Sequence, residues 1–240
     1  MYHELQISHI VATLRRLHQR ICERFPDSGL SKVAAELLKI AEETGPILER
    51  QRRPHRFIQL AAAAIILLLL AIPIAGLAWR GIPALGIRDL PTALQVLESA
   101  IQDIIFLGLA LYFVFTLETR LDRRGSLREL QRLRNIVHII DMHQLTKDPE
   151  HLISPDMQTP SSPARMLTHF EMSRYLDYCT ELLSLSSKIA AVHLQAVNDP
   201  VVLSGVSDIE VLSSNLTNKI WQKINVIDAL RRPVGQLQGM

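Results

Sequence analysis

Aromatic residues make up only 5% of the 240-residue chain, and cysteine occurs twice, at Cys22 and Cys179. The two thiols are far apart and lack CxxC or Cys/His ligand spacing, so they do not describe a metal cluster. They read as buried or half-buried small hydrophobes on helices. If both face a reducing cytosol, no disulfide is expected. Charge of one sign is also missing: Lys and Arg number 26 against 24 Asp and Glu, a net +2. A nucleic-acid reader carries a far larger basic excess on one face. No Gly-rich phosphate loop occurs, which removes the usual cradle for a nucleotide. No stretch alternates apolar and polar residues as a half-buried strand does.

What remains is helix, and part of it is too apolar for an ordinary soluble domain. Ile58 to Trp79 is a run of 22 residues without a charge. As a helix it extends about 33 Å, enough for a hydrocarbon core of about 30 Å. Pro73 inside it is tolerable in a membrane helix, and Trp79 suits an interface. The run starts too late and is too long for a cleaved signal peptide. A second run, Ile104 to Leu117, has only 14 uncharged residues. To cross, it must borrow upstream residues or thin the bilayer locally.

Basic residues flank the pair asymmetrically. Arg50, Arg52, Arg53 and Arg56 precede the first run, and Arg120, Arg123, Arg124 and Arg128 follow the second. The loop between them has only Arg80 and Arg88. The positive-inside rule then puts both termini in the cytoplasm. In a bacterium this means a multi-pass protein of the inner membrane. The same arginines are candidate contacts for anionic head groups.

The flanking segments carry helical stripes. Ile10, Leu14, Leu17 and Ile21 form one, and FPDSG (Phe25 to Gly29) ends it. Val33, Ala34, Leu37, Leu38 and Ala41 form another, which Gly45-Pro46 is expected to interrupt. Three S/T-x-x-E boxes predict helix starts at Ser126–Glu129, Thr168–Glu171 and Ser207–Glu210. The helices they open bear Leu130, Leu133, Val137 and Ile140; Met172, Leu176, Cys179, Leu183, Ala190, Leu194 and Val197; and Ile209, Leu212, Leu216, Ile220, Ile224 and Ile227. Each stripe needs a partner face, so an antiparallel cytosolic bundle is predicted. SPDMQTPSSPARM (Ser154 to Met166) has three prolines and reads as a linker.

Two constellations could carry chemistry. IVHIIDMHQLTKDPEH holds three histidines, but His138 and His143 lie about 140° apart on a helix and cannot share a metal. His138 and Asp141 do share a face and form a candidate polar pair. Completion of a site from His169, Asp177 or His193 would need them to converge. His143 reads as semi-buried, at a helix end where a cation suits the dipole. Asp148-Pro149 and Asp199-Pro200 are helix-start signals. The second constellation is QVLESAIQDIIFLG. Gln95, Glu98, Ser99, Gln102 and Asp103 follow i, i+3, i+4, i+7, i+8 spacing and make one polar stripe entering the second run. The helix is expected to start near Thr92. On an interfacial helix the stripe faces water. In an oligomer, Glu98, Gln102 and Asp103 would line an ion pathway.

IDMHQLTKDP, RYLDYCTELLSLSSKIAA, NDPVVL and KIWQKI together resemble an uncharacterised family of bacterial two-span membrane proteins. The likeness covers most of the chain after the second run and implies the membrane placement, with no activity to carry over. The expected fold is all-α: a two-helix transmembrane hairpin with a cytosolic helical bundle formed by N- and C-terminal segments. The expected divisions are a helical hairpin at 1–56, spans at 57–79 and 97–117, an external loop and helix start at 80–96, a cytosolic helix at 118–153, a linker at 154–166, a helical hairpin at 167–230 and a disordered tail at 231–240. The expected role is a membrane-anchored interaction or regulatory module without catalytic residues, metal or cofactor. Its partners would be the bilayer, further copies of itself and a cytosolic protein, not nucleic acid. The alternative is an oligomeric ion channel or membrane-perturbing effector with an acidic mouth.

Overall fold

The computed structural model describes residues 5–52, 62–69, 90–147 and 167–231, with single positions at 60, 71 and 75. The protein is all-helical, and no strand occurs among the described residues. Five helices carry the architecture: α1 (Ile7–Arg24), α2 (Gly29–Arg52), α3 (Leu90–Leu145), α4 (His169–Ala196) and α5 (Pro200–Arg231). Residues 62–69 are helical as well. Contacts divide the chain into two units: Met1–Arg52 with Gly125–Met240, and Arg53–Arg124.

The first unit is a bundle with one continuous core drawn from all five helices. Every residue of the α1 stripe is buried, and so are Val33, Ala34, Leu37 and Ala41 on α2. Leu130, Leu133, Val137 and Ile140 are buried on α3. Each buried aliphatic side chain stabilises the fold by about 1.5–3 kcal/mol before entropy is counted. The central helix is α4, which packs on α1, α2 and α5. Its burial therefore covers more than one stripe, adding Tyr175, Tyr178, Leu182, Leu185, Ile189 and Val192 to those read from periodicity.

Pairwise contacts set the directions. Arg20 meets Glu181 and Phe25 meets Tyr175, so α1 opposes α4. Gly29 lies against His143 while Glu43 meets Arg132, so α2 opposes α3. Gly205 lies against Leu130 and Lys223 reaches Gln144, so α5 runs parallel to α3. Successive helices therefore alternate in direction, which leaves α3 and α5 parallel, as an antiparallel bundle requires. Gly205 has a packing reason: a Cβ there would stand 3.2 Å from Leu130 Cδ1.

Local chemistry explains some ends and not others. The α1–α2 turn uses Asp27 in the left-handed region (φ 56). Ser28 then caps α2, its Oγ accepting the Ser31 N–H at 3.1 Å. Thr168–Glu171 is a true capping box: Thr168 Oγ1 accepts the Glu171 N–H and Glu171 accepts the Thr168 N–H. Asp199 caps α5, its carboxylate accepting the N–H groups of Val201 and Val202.

Three expectations are corrected. Ser126–Glu129 does not open a helix, because α3 runs unbroken from Leu90 to Leu145. Inside a running helix the Ser126 region already has its i−4 carbonyls, so Glu129 is released to bind Arg132 at 2.9 Å. Ser207–Glu210 lies inside α5, which Asp199-Pro200 starts earlier; burial of Val202 and Val206 holds that first segment. Gly45-Pro46 does not interrupt α2, which continues to Arg52 with Pro46 inside it. Continuing through the proline buries Leu48 against the core. The 154–166 linker, the 232–240 tail and Asp148-Pro149 lie outside the described residues, as do most of Ile58–Trp79 and the external loop.

Candidate functional site

The acidic stripe sits where helical spacing puts it. Residues 90–145 form one helix, starting two residues before Thr92. Gln95, Glu98, Ser99, Gln102 and Asp103 are all exposed on it. So are their apolar neighbours: Leu97, Ile101, Ile104, Ile105, Phe106 and Leu109. Leu107, Ala110, Leu111 and Val114, one face of the same stretch, are half-buried. Among the described residues, one helix, Leu97–Leu145, is long and apolar enough to cross a membrane. The described part of the first run, residues 62–69, is helical with Leu67 and Leu68 exposed and Ala62 buried.

His138 and Asp141 share a helix face but do not bond. Asp141 accepts instead from Gln144 Nε2 at 2.7 Å, and His138 is exposed. The partners considered for them scatter. His169 is exposed, Asp177 binds Arg174, and His193 is fully buried. No group of three His, Cys, Asp or Glu among the described residues is placed to hold a metal. Of the flanking arginines, Arg50, Arg120 and Arg124 are exposed and Arg123 is half-buried. The side chains of Arg52, Arg53 and Arg56 lie outside the described residues.

His143 is half-buried, but not as a cation on the α3 dipole. Its ring lies on Gly29, in the first turn of α2, where a Cβ would collide with Cε1. That is the positive end of a helix, and burial followed by the Lys147 charge lowers its pKa. The cation that meets the end of α3 comes from α5. Lys223 Nζ donates to Gln144 O at 3.1 Å and Lys147 O at 3.4 Å. Lys147 stands over the Tyr175 ring at 5.2 Å, and burial lowers its pKa. Cys179 lies nearby in the core, and burial pushes its thiol up to about 12, where it is an inert packing group.

Two features escaped sequence reasoning. The first is the complete burial of His193. Its ring is buried with both nitrogens unpartnered, and burial pushes its pKa down to about 4. The second is an arginine pocket of about 400 Å³ between α1 and α4, lined by Arg20, Glu23, Arg24, Arg174 and Tyr178. Arg20 and Arg174 both stand over the Tyr178 ring, at 5.8 and 5.5 Å, and Arg24 stands over Phe170 at 5.3 Å. Tyr178 is buried and its ring meets Phe25 edge-on at 6.2 Å, which fixes the floor of the pocket. The i, i+4 pairs Arg20/Arg24 and Arg174/Tyr178 were visible on separate helices. Their convergence needed the α1–α4 packing.

Comparison with family models, with curated proteins and with solved structures finds no match to this chain.

Proposed function

We propose that the chain is a membrane-anchored helical interaction or regulatory module. The observation that carries this reading is α3 itself. A single helix holds an apolar, uncovered stretch and then, after Gly125, a stripe buried in the bundle core. Exposed Ile104, Ile105, Phe106, Leu109 and Phe113 on a long apolar helix are stable in lipid, or against further copies of the same helix. In this reading Ile58–Trp79 is the other arm of a two-span hairpin, and the flanking arginines hold both termini in the cytoplasm. A bacterial inner membrane is the matching compartment, in line with the resemblance to bacterial two-span proteins. The bundle is then the surface that meets a cytosolic protein, and the reading gives it no catalytic step.

The test begins with fractionation under alkaline carbonate. The full chain is expected in the membrane pellet, and Leu109→Asp is expected to shift it toward the soluble fraction, since a buried carboxylate costs about 3 kcal/mol. Recovery of the unmodified chain in the soluble fraction defeats the anchor. The mass of the detergent-solubilised complex then reports self-association and any co-purifying chain.

A second reading rests on Glu98, Gln102 and Asp103, exposed at the entry to the same apolar stretch. Assembled copies could line an aqueous mouth with these groups, because a two-span chain forms a channel only as an oligomer. Reconstituted liposomes would then pass cations, and Glu98→Ala with Asp103→Ala would reduce cation preference. A confirmed oligomer with no flux removes this reading.

A further inference from the structure

We propose that the arginine pocket between α1 and α4 is a phosphate-binding site, taking the phosphomonoester of a dissolved molecule or of a lipid head group. Its lining holds three guanidinium groups and one carboxylate, that of exposed Glu23; two of the guanidiniums are paired outside the lining with Glu181 and Asp177, so the pocket offers a phosphate convergent N–H donors rather than an excess of charge. The volume of about 400 Å³ leaves room for a small body behind the phosphate and lies in the ordinary range for ligand pockets.

The guanidinium groups are already held in place. Arg20 and Arg174 stand over the Tyr178 ring, and a guanidinium carries five N–H donors, more than one carboxylate uses. Arg20 is braced from outside by Glu181 at 2.7 Å and Arg174 by Asp177 at 3.0 Å. Neither brace lines the pocket, so each orients its arginine without occupying the space. Arg24 is different: among the described residues it stands over Phe170 and makes no ion pair. Three like charges line one pocket, and carboxylates outside the lining answer two of them. Arg24, and the N–H groups that Glu181 and Asp177 leave unused on Arg20 and Arg174, suit contact to phosphate oxygens. The pocket lies within the bundle, so the site stands whether or not α3 spans a membrane.

The test is thermal unfolding of the full chain in an uncharged detergent, with phosphate replacing chloride or acetate at constant ionic strength. Phosphate is expected to raise Tm saturably by about 2–4 °C. Arg24→Gln should melt like the unmodified chain in chloride and lose that rise, because no ion pair is removed with it. Arg24→Lys should keep part of it, since an ammonium supplies charge without the fork. Arg174→Lys is the second variant should Arg24→Gln fail to fold. Vesicles of phosphatidylcholine with and without phosphatidic acid separate the sources. A rise from phosphatidic acid alone assigns the head group, and a rise from dissolved phosphate assigns a soluble ligand. Equal responses to phosphate and acetate, or a full response in both Arg24→Gln and Arg174→Lys, overturn the site.

Discussion

Residues 97–117 and residues 126–145 belong to one helix and are rich in the same apolar side chains, yet their burial is opposite. Leu109 is 58% exposed and Phe113 60%, while Leu133, Val137 and Ile140 are fully buried. The difference lies in arrangement. In 126–145 the apolar residues return every three or four positions and leave the other face to Arg128, Gln131, Arg134 and His138. In 104–117 they occupy every face, so no protein partner on one side can cover them. A one-sided stripe calls for a bundle, and an all-round apolar cylinder calls for lipid or an assembly.

The widest separation between the regions should appear on truncation. Leu133→Ala is expected to cost the bundle about 2–5 kcal/mol in denaturant unfolding. Leu109→Ala, in the same helix, should leave that value within about 0.5 kcal/mol. Equal losses would mean that the apolar cylinder is packed as the bundle is.

Acid should also find the bundle alone. Burial pushes the His193 imidazole down to about 4 in the folded state, against about 6.5 for an ordinary histidine. The folded state therefore binds fewer protons in that window. Stability is complete above pH 6.5 and falls as pH drops through 6.5 toward 4, by about 3 kcal/mol in all. His193→Leu should flatten that loss and cost little at pH 7, because it also removes two unpartnered buried nitrogens. An unchanged pH profile in the variant would assign the acid sensitivity elsewhere. Ellipticity from residues 97–117 should not follow this titration.

Caps give a smaller contrast. Thr168→Ala should lower stability by about 1 kcal/mol, since its hydroxyl serves a free helix N–H. Ser207→Ala, in the same sequence motif but mid-helix and exposed, should change less than about 0.5 kcal/mol. Least of all, a double-mutant cycle on the Arg15–Glu42 pair, with side chains 62% and 47% exposed, should return no more than about 1 kcal/mol.

These contrasts show where sequence reading succeeds. The stripes on α1, α2, α3 and α5 were legible because a helix with one buried face repeats with the helix period. Thr168 and Asp199 were legible as caps because the N–H groups they cap lie two or three residues away in the chain. Ser126 and Ser207 carry equally good cap chemistry and were misread. A capping motif says what can satisfy free N–H groups, and not whether an upstream turn has already done so. The extra burial of α4 was hidden for a related reason: a central helix packs on several sides and loses its single stripe. His138 and Asp141 stand at a spacing that permits a bond, but Gln144 stands at the same reach and took the carboxylate.

The sequence by itself determined that the chain is helical, where its one-sided stripes lie, which residues turn the chain between α1 and α2, and that one stretch is apolar on every face. Each of these depends on neighbours within about one or two helical turns. Only the tertiary structure decided that α3 is continuous, that Lys223 rather than His143 meets its carbonyls, and that three arginines from two helices line one pocket with Tyr178. These depend on which faces meet across the core, and contacts between distant segments leave no periodic trace in the chain.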